Sequence, residues 1–170
     1  MLEKIVSGGQ TGVDRAALDA ALAAGFEAGG WCPHGRRAED GRIPRTYPLD
    51  ETPSERYRQR TEWNVRDSDG TLILARGGVS GGTALTAQLA QVMGQPCRIV
   101  RLDRPGSLTG EPKVTLAWIA EHAIVALNVA GPRESQRPGI TEEARPRESQ
   151  SPGITEEARA FMDSLIAAVR

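Results

Sequence analysis

Short apolar runs along the chain alternate with longer stretches in which apolar residues recur every three or four positions. The short runs predict β-strands at residues 3–7, 26–31, 70–75, 97–102 and 124–129. The longer stretches predict α-helices at residues 14–24, 54–67, 83–93, 114–121 and 161–169. Alternating strands and helices are typical of an α/β fold, so we expect a mainly parallel sheet of about five strands with helices on both faces.

A glycine-rich segment follows three of these predicted strands. The segments are Ser7–Gly12, Gly81–Thr83 and Gly131–Ser135. A strand, a glycine loop and a helix in succession present backbone N–H groups to an anion. Because parallel strands place their carboxyl ends at the same edge of a sheet, the three loops can meet in one crevice. The sequence therefore predicts a site for a small phosphate-bearing ligand.

The first loop combines backbone freedom with side-chain donors. Gly8, Gly9 and Gly12 can adopt positive φ angles and leave room for a ligand oxygen against the main chain. Gln10 and Thr11 add an amide and a hydroxyl, and we expect free N–H groups at the start of the helix that follows. The loop has neither the Walker A lysine nor GxGxxG spacing, which argues against an ATPase and a simple dehydrogenase. A tight turn without a ligand is the alternative interpretation.

The second and third loops offer further donors. Gly81 and Gly82 again leave the main chain accessible to a ligand, and the hydroxyl of Thr83 can serve either as a helix cap or as a ligand donor. In the third loop the guanidinium of Arg133 can bind phosphate through two hydrogen bonds, and Ser135 adds a hydroxyl. An ordinary polar loop is the alternative for this third segment.

Asp14 and Arg15 stand at the start of the first predicted helix. An acidic residue there can complement the helix dipole, and it can instead accept a hydrogen bond from a ribose hydroxyl or act as a general base. Both interpretations of Asp14 remain open at the level of the sequence.

Residues 32–53 are rich in proline and have no apolar periodicity, so we expect a long loop that serves as a lid or as a binding element. Arg36, Arg37 and Asp40 are interpreted as a polar lid over the site. Cys32 and His34 have no further cysteine or histidine nearby, and we expect no metal site.

The overall composition excludes several classes of partner. The formal net charge is −1 over 170 residues, which argues against binding to nucleic acid or to an anionic membrane. No apolar run approaches the roughly 20 residues of a membrane span. Cys32 and Cys97 are far apart in sequence and are interpreted as free thiols. We expect a single cytoplasmic domain spanning residues 1–170, with no signal peptide.

A 14-residue unit is duplicated in tandem near the end of the chain. Residues 132–145 read PRESQRPGITEEAR and residues 146–159 read PRESQSPGITEEAR. Only the second copy continues into the last helix, and only the first follows the fifth strand. We therefore assign ligand contacts to Arg133 and Ser135 of the first copy. The alternative is that residues 146–150 take the site.

Five segments of the chain together resemble one known family. They are residues 7–19, 30–41, 60–73, 82–83 and 127–133. They are similar to those of the putative molybdenum carrier proteins, the circularly permuted YpsA-like branch of the SLOG superfamily. The resemblance implies a Rossmann-like three-layer α/β/α fold, a nucleotide-derived or similar phosphorylated ligand, and Asn128 as part of the binding segments. The carrier name further implies molybdate or molybdenum cofactor as the ligand.

The resemblance also bears on catalysis. Phosphoribohydrolases of the wider superfamily use a GGxGTxxE motif, and this chain has Thr86 where the glutamate would stand. We therefore expect a binding or carrier protein, with a nucleotide-processing enzyme that cleaves an N-glycosidic bond as the alternative. By analogy with related folds we expect a homo-oligomer. The candidate ligand-binding residues are Gly8, Gly9, Gln10, Thr11, Gly12, Asp14, Arg15, Gly81, Gly82, Thr83, Asn128, Gly131, Arg133 and Ser135.

Overall fold

The structure, a computed structural model, describes residues 1–135 and 152–169. Within these residues the strands are β1 Lys4–Val6, β2 Glu27–Gly29, β3 Trp31–Cys32, β4 Arg37–Ala38, β5 Gly41–Arg42, β6 Asp50–Glu51, β7 Gly70–Ala75, β8 Cys97–Arg101 and β9 Ala126–Ala130. The α-helices are α1 Val13–Ala23, α2 Tyr57–Arg66, α3 Gly81–Val92, α4 Glu111–Glu121 and α5 Ile154–Val169. None of these helices is both long enough and apolar enough to cross a membrane.

The main sheet has five strands in the order β2-β1-β9-β7-β8. All its neighbouring strands are parallel, which confirms the predicted sheet. Every residue of β7 is buried, because the interior strands of a parallel sheet are covered on both faces. Helices α1 and α4 pack on α5, and α2 packs on α3. The result is the expected three-layer α/β/α arrangement.

The connections between strands define where a ligand can bind. The chain runs from β1 to its neighbour β2 towards one edge of the sheet, and from β7 to its neighbour β8 towards the other. Because such crossovers are right-handed, α1 and α3 lie on opposite faces. The carboxyl ends of β1, β9 and β7 therefore border a crevice at the point where the strand order reverses, which is the usual ligand position in open α/β sheets.

The second predicted strand is interrupted. Gly30 has a φ of 131°, and a side chain there would overlap the backbone of Ser7 and approach the amide oxygen of Asn64. The chain leaves the main sheet at this glycine, and β3 pairs with β6 instead. The prediction of one continuous strand at residues 26–31 was therefore wrong, because the chain breaks at Gly30 into β2 and β3.

The segment expected to be an irregular loop also contains short ordered elements. β4 and β5 form an antiparallel hairpin with Glu39 and Asp40 at its tip. Arg36 lies at the base of this hairpin, and its guanidinium donates to the carbonyl oxygens of Ile43, Pro44, Tyr47 and Leu49. The part of the prediction that placed Arg36 in a lid was wrong, because this side chain is turned inward and holds the segment together.

The helices do not begin at the residues that the pattern predicts, and the local sequence explains the difference for α2 and α4. α2 begins at Tyr57 rather than Ser54, because the Ser54 N–H donates to the side chain of Gln59 and the Ser54 hydroxyl accepts from Arg56 N–H, which forms a turn before the helix. α4 begins at Glu111, three residues earlier than expected, with Pro112 in its first turn where a missing N–H costs little.

The first and third glycine loops touch each other through their backbones. A Cβ on Gly12 would overlap the carbonyl oxygen of Pro132, and Gly12 has a φ of 83°. A Cβ on Gly131 would overlap the carbonyl oxygen of Leu74 and approach Val13. These two glycines thus permit the close approach of the segments that follow β1, β7 and β9.

The duplicated unit contributes to the described structure as one composite copy. Residues 132–135, which are positions 1–4 of the first copy, follow β9, and residues 152–159, which are positions 7–14 of the second copy, lead into and form the start of α5. Glu134 joins the two parts, since its carboxylate accepts hydrogen bonds from the N–H and hydroxyl of Thr155. Residues 146–150, the alternative site segment, lie outside the described residues.

Replacement of Gly131 by alanine should lower the free energy of unfolding by about 1–3 kcal/mol, because the new methyl group overlaps backbone that cannot move freely. Urea unfolding measures this change. Gly78→Ala is the matched control, since nothing lies within 4 Å of a Cβ there. An equal effect of the two substitutions would contradict the close approach of Gly131 to Leu74 and Val13.

Deletion of residues 132–145 or of residues 146–159 gives the same chain except for one arginine or serine. The described structure uses positions 1–4 of the first copy and positions 7–14 of the second. One copy of the unit contains all of these positions, so both deletion variants should fold. Their free energies of unfolding should lie within about 1 kcal/mol of the parent, since the entropy of closing a connection changes slowly with its length. Failure of either variant to fold would show that the added unit is structurally required.

Candidate ligand-binding cleft

A cleft lies at the carboxyl ends of β1, β9 and β7, where the sequence predicted the site. It contains about 680 Å³ of empty space, including its open mouth. Its lining residues come from the first loop, the start of α1, α2, the first turns of α3, the end of β9 and the third loop. They are Gln10, Asp14, Tyr57, Arg58, Arg60, Thr61, Gly82, Thr83, Leu85, Thr86, Ala130, Gly131 and Arg133.

A buried ion pair forms one wall of the cleft. Asp14 is only 3% exposed, and its carboxylate lies 3.1 Å from Nη1 of Arg60. It also accepts a hydrogen bond of 3.2 Å from the N–H of Gln10. Burial raises the pKa of Asp14 above its usual value, although Arg60 and the Gln10 N–H act in the opposite direction. The ion pair fixes α2 against the start of α1, because Asp14 belongs to α1 and Arg60 to α2.

Arginine side chains gather around Tyr57 at the cleft. The guanidinium carbons of Arg37, Arg60 and Arg133 lie 5.3, 5.9 and 5.9 Å from the centre of the tyrosine ring. The ring face is the negative pole of its quadrupole and stabilises cations at this distance. Nε of Arg60 is buried and has no hydrogen-bond partner within the described parts of the chain. The cleft therefore carries concentrated positive charge.

The first turn of α3 provides open donors on the opposite side. A Cβ on Gly82 would have nothing within 4 Å, so the backbone there faces free space. Ser80 precedes the helix and makes no side-chain capping bond. Thr83 is the third residue of α3 rather than its cap, and it lines the cleft. Of the two interpretations of Thr83, capping is excluded by its position in the helix.

The tip of the β4–β5 hairpin reaches the rim of the cleft. The Glu39 carboxylate accepts hydrogen bonds from the hydroxyls of Thr11 and Ser135 and from the Ser135 N–H. It also lies 3.9 Å from Nε of Arg133. Burial alone would raise the pKa of Glu39, but the hydrogen bonds from Ser135 and Thr11 outweigh burial and lower that pKa. Glu39 thus joins the first and third loops.

The other hairpin residues have different roles. Asp40 forms a two-point ion pair with Arg15, whose Nε also donates to the carbonyl oxygen of Gly9 at 3.1 Å. Arg37 lies over Tyr57 and makes no ion pair with any residue in the described ranges. Two of the three residues expected to cover the site, Arg37 and Asp40, therefore lie near it.

The start of α1 offers fewer free donors than expected. The Val13 N–H donates to the carbonyl oxygen of Pro132 at 3.2 Å, and the Arg15 N–H donates to the carbonyl oxygen of Gln10 at 3.2 Å. The Thr11 N–H donates to the side chain of Gln10. The expectation of free N–H groups throughout this turn was wrong, because the third loop and Gln10 already use them.

The structure brings only part of the predicted residue set to the cleft. Asn128 is 2% exposed, and its amide donates to the Thr71 hydroxyl between β9 and β7. Gly9 packs against Leu49 and Ile43, so its function is close packing. The predicted residues that line the cleft are Gln10, Asp14, Gly82, Thr83, Gly131 and Arg133. The predicted residues outside its lining are Gly8, Gly9, Thr11, Gly12, Arg15, Gly81, Asn128 and Ser135.

Reasoning from the sequence missed the contribution of α2. Tyr57, Arg60 and Thr61 are spaced i, i+3, i+4 and therefore share one face of the helix. That face lines the cleft. The signal was a helix with unusually few apolar residues and a polar stripe, which indicates a side that packs on no hydrophobic core.

The described residues contain no group of three or more histidine, cysteine, aspartate or glutamate side chains able to hold a metal ion. The donors at the cleft are guanidinium, hydroxyl and backbone N–H groups, which suit oxyanions rather than cations.

Comparison with known proteins places this arrangement in a family. A crystal structure of a protein from Syntrophus aciditrophicus SB, described as a putative molybdenum carrier protein, is 41% identical in sequence, with a TM-score of 0.85 over 96% of this chain and 94% of that chain. No curated protein matches the chain. The family model described as the circularly permutated YpsA SLOG family matches residues 5–146. The chain therefore belongs to the circularly permuted YpsA family of the SLOG group, which confirms the resemblance and the Rossmann-like fold.

Proposed function

We propose that this protein binds a small phosphate-bearing, nucleotide-like ligand in the cleft and serves as a binding or carrier protein. The observation that carries the proposal is the concentration of arginine side chains at the switch point of the sheet. Arg58, Arg60 and Arg133 line the cleft and Arg37 lies beside them, whereas the carboxylates that face these arginines in ion pairs are those of Asp14 and Glu39. An anionic ligand would balance this local excess of positive charge.

The two sides of the cleft complement each other for such a ligand. Arg58 and Arg133 can bind phosphate oxygens through paired N–H groups. The open turn at Gly82 and Thr83 adds backbone N–H groups and the positive end of the α3 dipole. Hydroxyl, guanidinium and N–H donors together form the usual environment of a bound phosphate group.

Molybdate and molybdenum cofactor are the specific cargoes that we consider first. The Syntrophus aciditrophicus protein is described as a putative molybdenum carrier. Molybdate is a tetrahedral oxyanion, and the donors of this cleft fit it as they fit phosphate. Molybdenum cofactor carries a phosphate group, so the same donors would hold that group. We propose these molecules as cargo and not as a resident catalytic group.

The location, assembly state and partners that we propose are those expected from the sequence. We propose a cytoplasmic protein that assembles with copies of itself and does not act on nucleic acid. Both cysteines are free, in keeping with a reducing compartment.

Replacement of Arg58 by glutamine should weaken binding of ADP or molybdate about tenfold, because one charge-assisted hydrogen bond of about 1.5 kcal/mol is lost. Isothermal titration calorimetry with each ligand measures the change. Arg58 is exposed and makes no ion pair within the described residues, so its removal should leave the fold intact.

Arg104→Gln is the matched control for Arg58→Gln. Arg104 is also exposed and is likewise without an ion pair among the described residues, and it does not line the cleft. Its replacement removes the same charge and should leave affinity unchanged. Equal weakening by both variants would indicate a general charge effect, and no binding of ADP, phosphate or molybdate by the parent would contradict the proposed function.

The alternative is an enzyme that cleaves an N-glycosidic bond of a nucleotide. The observation in its favour is Asp14, a buried carboxylate on the cleft wall whose pKa is raised by burial. Against it, the ion pair with Arg60 already engages this carboxylate. Thr86, in place of the superfamily glutamate, donates its hydroxyl to the carbonyl oxygen of Gly82 at 2.9 Å.

Incubation of the protein with nucleoside monophosphates and ADP-ribose separates the two functions. A binding protein should release no base above the uncatalysed background, as measured by chromatography. Release that Asp14→Asn abolishes, while ADP binding and the melting temperature are retained, would establish the enzyme and overturn the carrier proposal.

A further inference from the structure

The hairpin that carries Glu39 is fixed at its base and depends on contacts at its tip. Arg36 anchors the base through four carbonyl oxygens, and Ala38 and Ile43 pack into a small apolar cluster. Each strand of the hairpin has only two residues, and so short a ribbon is marginal by itself. The position of the tip therefore rests on the hydrogen bonds and ion pairs of Glu39 and Asp40.

The groups around the Glu39 carboxylate are those of an oxyanion site. Two hydroxyls and one backbone N–H donate to its oxygens, and the guanidinium of Arg133 stands 3.9 Å away. These donors belong to Thr11, Arg133 and Ser135, which come from two loops that converge only in the folded protein. A phosphate group would accept from the same donors with more oxygens and more negative charge.

We propose that Thr11, Arg133 and Ser135 form a rim subsite for a phosphate group or similar tetrahedral oxyanion, which the Glu39 carboxylate occupies until the ligand displaces it. This inference rests on the proposed function and extends it. The ligand would then bear one anionic group at the α3 turn and one at the rim, and Arg133 would contact both groups because it belongs to both places.

Displacement requires only a small movement. The Glu39 N–H donates to the Gln10 side chain at 2.9 Å, so the backbone can stay in place while the carboxylate rotates away. The side chain is 18% exposed, which leaves it a path to solvent. Asp40 can keep its ion pair with Arg15 throughout. Because the donors bind ligand only when Glu39 has left them, the apparent affinity equals the intrinsic affinity multiplied by the fraction of time that the donors are free.

The test is a titration of the ¹⁵N-labelled protein with inorganic phosphate, followed by NMR at two backbone amides. The Ser135 amide reports the rim and the Gly82 amide reports the α3 turn. In Glu39→Gln the apparent Kd at Ser135 should fall about tenfold, because the donors no longer face a competing charged carboxylate. Glu39→Asp keeps the charge with a shorter reach, and it should give a smaller fall in the same direction.

Glu55→Gln is the matched control, because it makes the same change at an exposed carboxylate that has no side-chain hydrogen bond or ion pair among the described residues and does not line the cleft. It should leave the Kd at Ser135 unchanged. Unchanged or weaker phosphate binding at Ser135 in both Glu39 variants, with Gly82 still responding, would overturn the rim subsite and leave the proposed function standing. No response at either amide in any variant would contradict both.

Discussion

The contact between the first and third glycine loops is the constraint on which the site depends. Gly12 and Gly131 have no side chains, so the backbone after β9 can lie against the start of α1 and the end of β7. This approach brings Arg133 and Ser135, which are distant in sequence from Thr11, to the same rim. A methyl group at either glycine would force the loops apart and separate the donors.

A second constraint is electrostatic. The cleft gathers several guanidinium groups in a partly buried place, where positive charges repel one another more strongly than in water. Asp14 offsets part of this repulsion from inside the wall and Glu39 offsets part from the rim. Tyr57 presents its ring to three of the guanidinium groups. The protein is nearly neutral as a whole, so this charge is a property of the site and not of the chain.

The features predictable from the sequence were those determined by local patterns. The buried strands appeared as apolar runs and the three loops as glycine clusters, and parallel strand geometry was enough to predict that the loops converge. The identity of their partners was not predictable, because Glu39 meets Thr11 and Ser135 across long sequence separations. The same limit applies to Arg60 and Asp14, which belong to different helices.

Hydrogen bonds within the protein account for the remaining differences between the predicted ligand donors and the donors that are free in the structure. The N–H groups of Val13 and Arg15 looked available because helix termini usually leave such groups free. The third loop and Gln10 satisfy them in the folded chain. Asn128 likewise bonds to Thr71 inside the sheet. A sequence lists donors, but only the tertiary arrangement determines which of them are still unoccupied.

The contacts of Arg36 make residues 36–49 a structural unit distinct from the main sheet. The single guanidinium of Arg36 ties together residues 36–49, and Ala38, Ile43 and Leu49 of this segment pack with Leu18 and Cys32 in a cluster apart from the core between the sheet and α5. Contiguous units of this kind can open at lower free energy than the whole domain. Such a sub-global opening would withdraw Glu39 and uncover the arginines while the sheet stayed intact. Ligand entry and release could then proceed on the timescale of this local unit, independently of global unfolding.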